Sequence, residues 1–330
     1  MKLSVAMCTY NGERYLREQL EALGAQTRLP DELIVCDDGS ADETVRIVFD
    51  FAARVPFPVR VHTSKQNLGS TRNFEQAIRL CQGDIIALCD QDDVWLPEKL
   101  ARLETEFANA PEVGLVFTDA EVVDEQLRPL GYSLWEKLGF GGKEIERLRH
   151  GSGFDALLQG STVTGATAAF RARFRALVLP IPNDIPLIHD AWLALLIAAT
   201  SEVLPIPEML IKYRQHSGQQ VGAVERRGSP RGFAAAFHGL RRKNPYAEMI
   251  AVALSVRDRL LDQQSEFDGR KAIVDLEARI AHLEARSKLP RAFLPRANLV
   301  LRELFTVRYH RYSKGLSSAA KDLVARGTAS

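Results

Sequence analysis

The sequence predicts an α/β protein: a mostly parallel sheet with helices on both faces, followed by a helical C-terminal region. Three observations predict it. The first 120 residues alternate short apolar or β-branched runs with segments of helical spacing, the pattern of strand–helix–strand crossover units. Polar clusters follow several of those runs. From Ala247 onward, apolar residues recur every three or four positions, which is the period of an α-helix.

The elements follow in order. Leu3–Cys8 (LSVAMC) reads as a buried strand, and Glu13–Ala25 as a helix with Leu16, Leu20 and Leu23 on one face. Glu32–Cys36 (ELIVC) is a second strand. A helix over Ala41–Ala53 is expected to bury Val45, Val48 and Phe49. Val59–Thr63 is a strand, Ser70–Cys81 a helix, and Asp84–Cys89 (DIIALC) a strand. Pro97 suits the first turn of a helix to Asn109, and Val113–Thr118 is another strand. Thr164–Thr167 reads as a glycine turn into a strand, and Trp192–Ala199 as an apolar helix. Residues 125–160, with Trp135 and Phe140, read as including loops.

Composition narrows the function. The chain has 330 residues, 46% hydrophobic and 26% charged, with mean hydropathy −0.13; this suits one large α/β domain plus an appendage. The longest strongly apolar stretch, Ala191–Thr200, spans ten residues, too few to cross a bilayer. The opening MKLSVAMCTYNG turns polar too soon for a leader segment. Cys8, Cys36, Cys81 and Cys89 lie in apolar runs without metal or disulfide spacing, so a cytoplasmic protein with reduced cysteines is expected.

Charge divides the chain. Residues 226–330 hold 21 Lys and Arg against 10 Asp and Glu, a net of +11; the remaining 22 basic and 32 acidic residues give 1–225 a net of −10. We therefore expect two functional parts, an acidic α/β domain over 1–225 and a basic, mostly helical region over 226–330 serving membrane-surface docking or oligomerisation. Ile273, Leu276, Ile280 and Leu283 make a stripe for either intramolecular packing or a short coiled coil, the latter as a homodimer. From Lys288 onward, arginines interleave with aromatics. This composition suits an anionic membrane face, and peripheral attachment to the inner face is the expectation. No nucleic-acid motif is present, and a nucleic-acid partner is not expected.

The strand ends point to chemistry. Thr9-Tyr10-Asn11-Gly12, Asp37-Asp38-Gly39-Ser40 and Asp90-Gln91-Asp92-Asp93 each follow a strand, and ligands of such sheets bind beyond the strands' carboxyl ends. Asp90 and Asp92, two apart in extended chain, point the same way. Paired carboxylates hold Mg²⁺ or Mn²⁺ together with substrate phosphates. Neither a GxxxxGK[ST] loop nor a GxGxxG turn after the first strand occurs, which leaves a nucleoside diphosphate held through metal as the economical reading. Asp190, in HDAW after a proline-rich loop, reads from its position as a helix cap.

CTYNGERYLREQLEAL (8–23), IVCDDGSADET (34–44), NLGSTRNFEQAI (67–78) and GDIIALCDQDDVW (83–95) together resemble the inverting glycosyltransferase family 2, with the Rossmann-like GT-A fold. TVTGATAAFR (162–171), IHDAWLALLIA (188–198) and YRQHSGQQVGA (213–223) extend the resemblance, which looks closest to bacterial rhamnosyltransferases of surface-polysaccharide (lipopolysaccharide, O-antigen) assembly. The resemblance implies donor contacts from Thr9, Tyr10, Asn11, Asp38, Arg72 and Asp90, and metal ligation by Asp92, with Asp90 and His216 contributing. It implies Asp190 as the base, Arg214 and Ser217 near the diphosphate or in a lid, and ordering roles for Asp37 and Asp93. Family members often carry Asn a few residues after this His, where this chain has Ser217-Gly218-Gln219-Gln220. The implied reaction moves rhamnose from dTDP-rhamnose to a glycan or polyprenyl-linked acceptor. A UDP-hexose donor is the alternative, and a non-catalytic sugar-nucleotide-binding scaffold the alternative of another class.

Overall fold

The computed structural model describes residues 1–149, 153–160, 162–219 and 245–324. The chain divides into two units, Met1–Ile181 with Leu187–His238, and Pro182–Pro186 with Gly239–Ser330. The 225/226 boundary expected from charge lies outside the described residues, as does Gly222.

The first unit opens with β1 (Leu3–Thr9), α1 (Leu16–Gly24), β2 (Glu32–Asp37), α2 (Thr44–Ala52), β3 (Val59–Thr63), α3 (Ser70–Leu80) and β4 (Ile85–Asp90). It continues through β5 (Val94–Trp95), α4 (Lys99–Asn109), β6 (Val113–Val123), β7 (Pro129–Ser133), α5 (Leu134–Leu138), α6 (Gly142–Arg149) and α7 (Gly153–Gln159). A 3₁₀ turn (Gly165–Thr167) leads into β8 (Ala168–Arg171), then α8 (Arg175–Val178), α9 (His189–Thr200) and β9 (Glu202–Arg214).

The strands form one sheet in the order β3-β2-β1-β4-β8-β6-β9-β5, with β7 paired to β6. Its first half, β3-β2-β1-β4, is parallel throughout. Beyond β4 the sheet is mixed, because β8 enters antiparallel between β4 and β6, while β6 and β9 run parallel. The mostly parallel expectation thus holds for the half made by helical crossovers. β8 follows three short helices and a 3₁₀ turn and enters antiparallel to both of its neighbours. β1 and β2 are buried at every residue, as strands covered on both faces must be.

Several elements differ in detail from the sequence expectation. In α2 the buried face is Thr44, Ile47, Val48 and Phe51; Phe49 is exposed, because steps of three and four from Thr44 bypass it. α9 begins at His189 with Ile188 as the cap residue, so Asp190 lies inside the first turn. Trp135 and Phe140 make a core cluster with Phe117, with ring centroids 4.8–5.7 Å apart. All four cysteines are buried and none forms a disulfide; burial pushes the Cys36 and Cys81 thiols up to about 12.

The second unit contains α10 (Pro245–Asp262), α11 (Arg270–Ser287), α12 (Phe293–Phe305), α13 (Arg308–Tyr312) and α14 (Leu316–Val324). The stripe Ile273, Leu276, Ile280, Leu283 is buried within α11, which packs along α10. Val300, Tyr309 and Ala319 join α12, α13 and α14 in a small apolar core. A polar network crosses it. His282 Nδ1 lies 2.7 Å from Glu303 Oε2 and its Nε2 lies 2.9 Å from Ser313 Oγ. Arg286 donates to Asp322 at 2.6 Å and to Ser313 at 2.8 Å, and the Tyr309 hydroxyl donates to Asp322 at 2.7 Å. Among the described residues, no helix is long and apolar enough to cross a membrane.

Candidate active site

The carboxyl ends of β2, β1 and β4 meet where the strand order turns back on itself, β1 lying between β2 and β4. Open α/β sheets form their ligand crevice at such a point. Register fixes the neighbours: Thr9 stands beside Asp37, and Cys8 beside Asp90. Thr9 is buried and its hydroxyl donates to Asp37 Oδ1 at 2.9 Å. Asp37 also accepts from the Ser40 amide at 2.9 Å, which orders this turn. Asp38 accepts from the Leu68 and Gly69 amides at 2.7 and 2.8 Å, anchoring the loop that leads into α3. Asn11, at a φ of 46°, donates its amide to Ser40 Oγ and accepts from the Ala41 amide, both at 2.9 Å. Between Thr9 and Asn11, Tyr10 is 45% exposed at the sheet edge. Arg72 pairs with Glu75 along α3.

The Asp90–Asp93 loop faces this edge. Burial, reinforced by the charges of Asp92 and Asp190, pushes the Asp90 carboxyl up to about 7. Asp92 Oδ2 lies 2.8 Å from His216 Nε2, and the His216 ring packs 4.7 Å from that of Tyr15. Asp93 is buried, accepts from the Arg214 amide at 3.0 Å, and has a second oxygen without a partner among the described residues. Burial and the neighbouring Asp92 and Asp90 hold its carboxyl well above the usual range. Ser217 lies exposed in the turn after β9.

Arg214 is a strap. Its guanidinium donates to the carbonyls of Asp92 (2.7 Å) and Glu125 (2.6 Å), and pairs with Glu18. These bonds fix the Asp92 backbone to β9, so this guanidinium is committed to protein groups instead of standing open to a diphosphate.

Asp190 reaches the same place from α9. Its Oδ2 accepts from the Gly165 amide at 2.9 Å and its Oδ1 from the Ala191 amide at 2.6 Å. These two amide donors fix the direction of the carboxylate. Gly165 has no room for a side chain: a Cβ there would stand 2.9 Å from His189 Nε2 and 3.6 Å from Asp190 Cβ. His189 is buried, stacked 4.1 Å from Phe74, and burial holds its imidazole below the usual range.

Three residues to which the sequence assigns no role support these groups. Gln91, between the two acids, turns away from them and clips Tyr10: its Oε1 accepts from the Tyr10 amide at 2.8 Å and its Nε2 donates to the Tyr10 carbonyl at 3.0 Å. A Cβ on Gly12 would stand 2.2 Å from that amide oxygen, so the clip requires glycine there. Lys99 is fully buried, donates to the Ala166 carbonyl at 2.7 Å, and lies 3.7 Å from the Trp95 ring. Burial pulls its ammonium down to about 7, opposed by Cys89, Asp93 and Asp90. Glu75 gathers Arg72, Arg79 and the Ile181 amide. The i+2 spacing flanking Gln91 is the one sequence signal that marks it; the other partners lie too far along the chain to read.

Among the described residues, no three His, Cys, Asp or Glu side chains converge as a ready metal cage. The Asp92–His216 pair nevertheless offers one carboxylate and one imidazole on the open side of the loop. That donor set suits Mg²⁺ or Mn²⁺ when substrate phosphates complete the shell.

Fold and site together define a GT-A-like α/β protein with an acidic crevice at its switch point. Residues 4–177 match the family described as Glycosyl transferase family 2, and the chain belongs to that family. An uncharacterized protein of Mycobacterium tuberculosis is 30% identical over 224 residues, 65% of this chain and 59% of that protein. The chain thus spans about three-fifths of the length of such relatives. An uncharacterized glycosyltransferase of Haemophilus influenzae is 24% identical over 218 residues, 66% of each chain. Among solved structures, S. aureus TarS in complex with UDP-GlcNAc superposes with a TM-score of 0.55 at 15% identity, covering 98% of this chain and 82% of that one. At that identity the likeness speaks for the fold.

Proposed function

We propose that this chain is an inverting glycosyltransferase that moves a sugar from a nucleoside-diphosphate donor to a hydroxyl of a glycan or lipid-linked saccharide. One observation carries the reading. Asp190 accepts from the Gly165 amide at 2.9 Å, in the turn that leads into β8 beside β4, so acids from two separate segments, Asp90 and Asp92 after β4 and Asp190 on α9, come to the same end of the sheet.

In this reading Thr9, Asn11 and Asp38 shape the base and ribose end of the donor site, with Tyr10 as a stacking face. Asp90 faces the ribose. Asp92 and His216 would hold a divalent cation, which when bound supplies positive charge for the leaving diphosphate. Asp190, oriented by the Gly165 and Ala191 amides, accepts the proton of the attacking hydroxyl as the new glycosidic bond forms. The nucleoside diphosphate departs from the opposite face of the anomeric carbon, which inverts the configuration. Ser217, exposed in the turn after β9, would in this reading cover the diphosphate.

Rhamnose from dTDP-rhamnose is the donor we favour, on the motif resemblance. TarS, with this fold, was solved with UDP-GlcNAc, which makes UDP-hexoses the second arm of the test. Donor hydrolysis screened across dTDP-, UDP- and GDP-sugars, with Mg²⁺, Mn²⁺ or chelator, should single out one donor and require the cation. Indifference to every donor would support the scaffold reading instead.

A further inference from the structure

The C-terminal helices carry a surface that the transfer reaction does not use. α12 has two distinct faces. Arg296, Val300 and Glu303 are buried. Leu294, Leu301 and Phe305, at spacings of seven and four, fall on the opposite side of the helix. They are 79, 50 and 85% exposed. An exposed apolar row on a single helix marks a place where something binds.

The charges around this row are of one sign. Between residues 288 and 324 the only acids are Glu303 and Asp322, and both are buried. Glu303 pairs with His282 and Arg308, and Asp322 with Arg286. The exposed charges of this stretch are therefore all basic, among them Arg291, Arg302, Lys314 and Lys321.

We propose that this face of α12 docks on an anionic lipid bilayer, with Leu294, Leu301 and Phe305 entering the headgroup boundary and the flanking basic residues meeting lipid phosphates. A second copy pairing through the same face would set basic surface against basic surface, which opposes association. A bilayer satisfies both features at once, because apolar insertion and electrostatic attraction add. The inference is independent of which sugar is transferred, and no donor is needed to test it.

The experiment is flotation of the full chain with vesicles of phosphatidylcholine alone, or with about 30 mol % phosphatidylglycerol. At low salt the chain should bind the anionic vesicles, bind neutral ones far less, and release as salt is raised. The double variant Leu301→Ser/Phe305→Ser should bind about tenfold more weakly or worse with an unchanged melting temperature, since both side chains are exposed. Arg302→Glu/Lys314→Glu should remove the preference for anionic lipid. Equal partitioning to both vesicle types at low salt, or full binding by the Ser variant, overturns the proposal. So does light scattering that shows a dimer dissolved by the Ser variant while vesicles leave the protein unbound.

Discussion

Two histidine–carboxylate pairs of nearly equal length lie in different units of this protein. His216 meets Asp92 at 2.8 Å in the first, and His282 meets Glu303 at 2.7 Å in the second. Their surroundings differ. His282 is fully buried, with Ser313 on its other nitrogen and Glu303 shared with Arg308. Every valence is filled, which is how a buried polar network holds packing in register. His216 pairs with Asp92 of the Asp90–Asp93 loop, and Asp90 and Asp93 of that loop are pushed towards their neutral forms. Crowded like charges are unfavourable without a counter-ion, and in the function proposed above a cation-bound diphosphate would relieve that crowding. Pair geometry alone does not distinguish a strut from a site; the charge balance around the pair does.

The largest effect should come from Asp190→Asn. Turnover should fall by about 10²–10⁴-fold with fold and donor binding retained, because the amide keeps the shape but cannot accept the proton. Near-normal turnover would remove Asp190 from the mechanism.

The two histidines offer a direct exchange of phenotypes. His216→Gln should weaken Mn²⁺ dependence by about 10–100-fold with little change in melting temperature. His282→Gln should destabilise the protein by about 1–3 kcal/mol yet leave donor affinity intact. Identical behaviour of the two variants would erase the distinction drawn above.

Lys99→Met should reduce turnover by about tenfold while donor binding stays near normal. The ammonium holds the Ala166 carbonyl one residue beyond the Gly165 amide that orients Asp190. A change confined to donor binding would contradict this coupling.

Acid should act on the two regions in opposite senses. Burial lowers the His282 pKa, so the unfolded state takes up the proton first and that region loses stability as pH falls through about 6.5. Asp90 is raised to about 7; the folded state binds the proton first, and the acid cluster gains stability as pH falls from about 7 towards 4. Hydrogen exchange, corrected for intrinsic rates, should show α11 amides losing protection from pH 7.5 to 5.5 while β4 amides hold or gain it. Parallel loss in both elements would refute the assignment.

Much of this architecture was readable because it depends on local pattern. Buried strands such as LSVAMC and DIIALC announce themselves by continuous apolar runs, and the polar turns at their ends placed Thr9, Asp38, Asp90 and Asp92 on one edge. What escaped depends on partners distant in sequence. Gln91 finds Tyr10 across 81 positions and Lys99 finds Ala166 across 67, and no local period encodes either. The resemblance implies a place for Arg214 near the diphosphate or in a lid, yet β9 delivers its guanidinium to the Asp92 and Glu125 carbonyls. The cap alternative for Asp190 missed by two residues, because α9 starts at His189 with Ile188 as its cap residue.

The central claim is that acids from the β4 and α9 segments surround one metal-bound diphosphate with divided roles. Calorimetric titration of UDP and dTDP, with and without Mn²⁺, tests it most directly in wild type, Asp92→Ala and Asp190→Asn. Binding should require Mn²⁺, vanish in Asp92→Ala and persist in Asp190→Asn. Equal affinity with and without Mn²⁺, unaltered by Asp92→Ala, would contradict it.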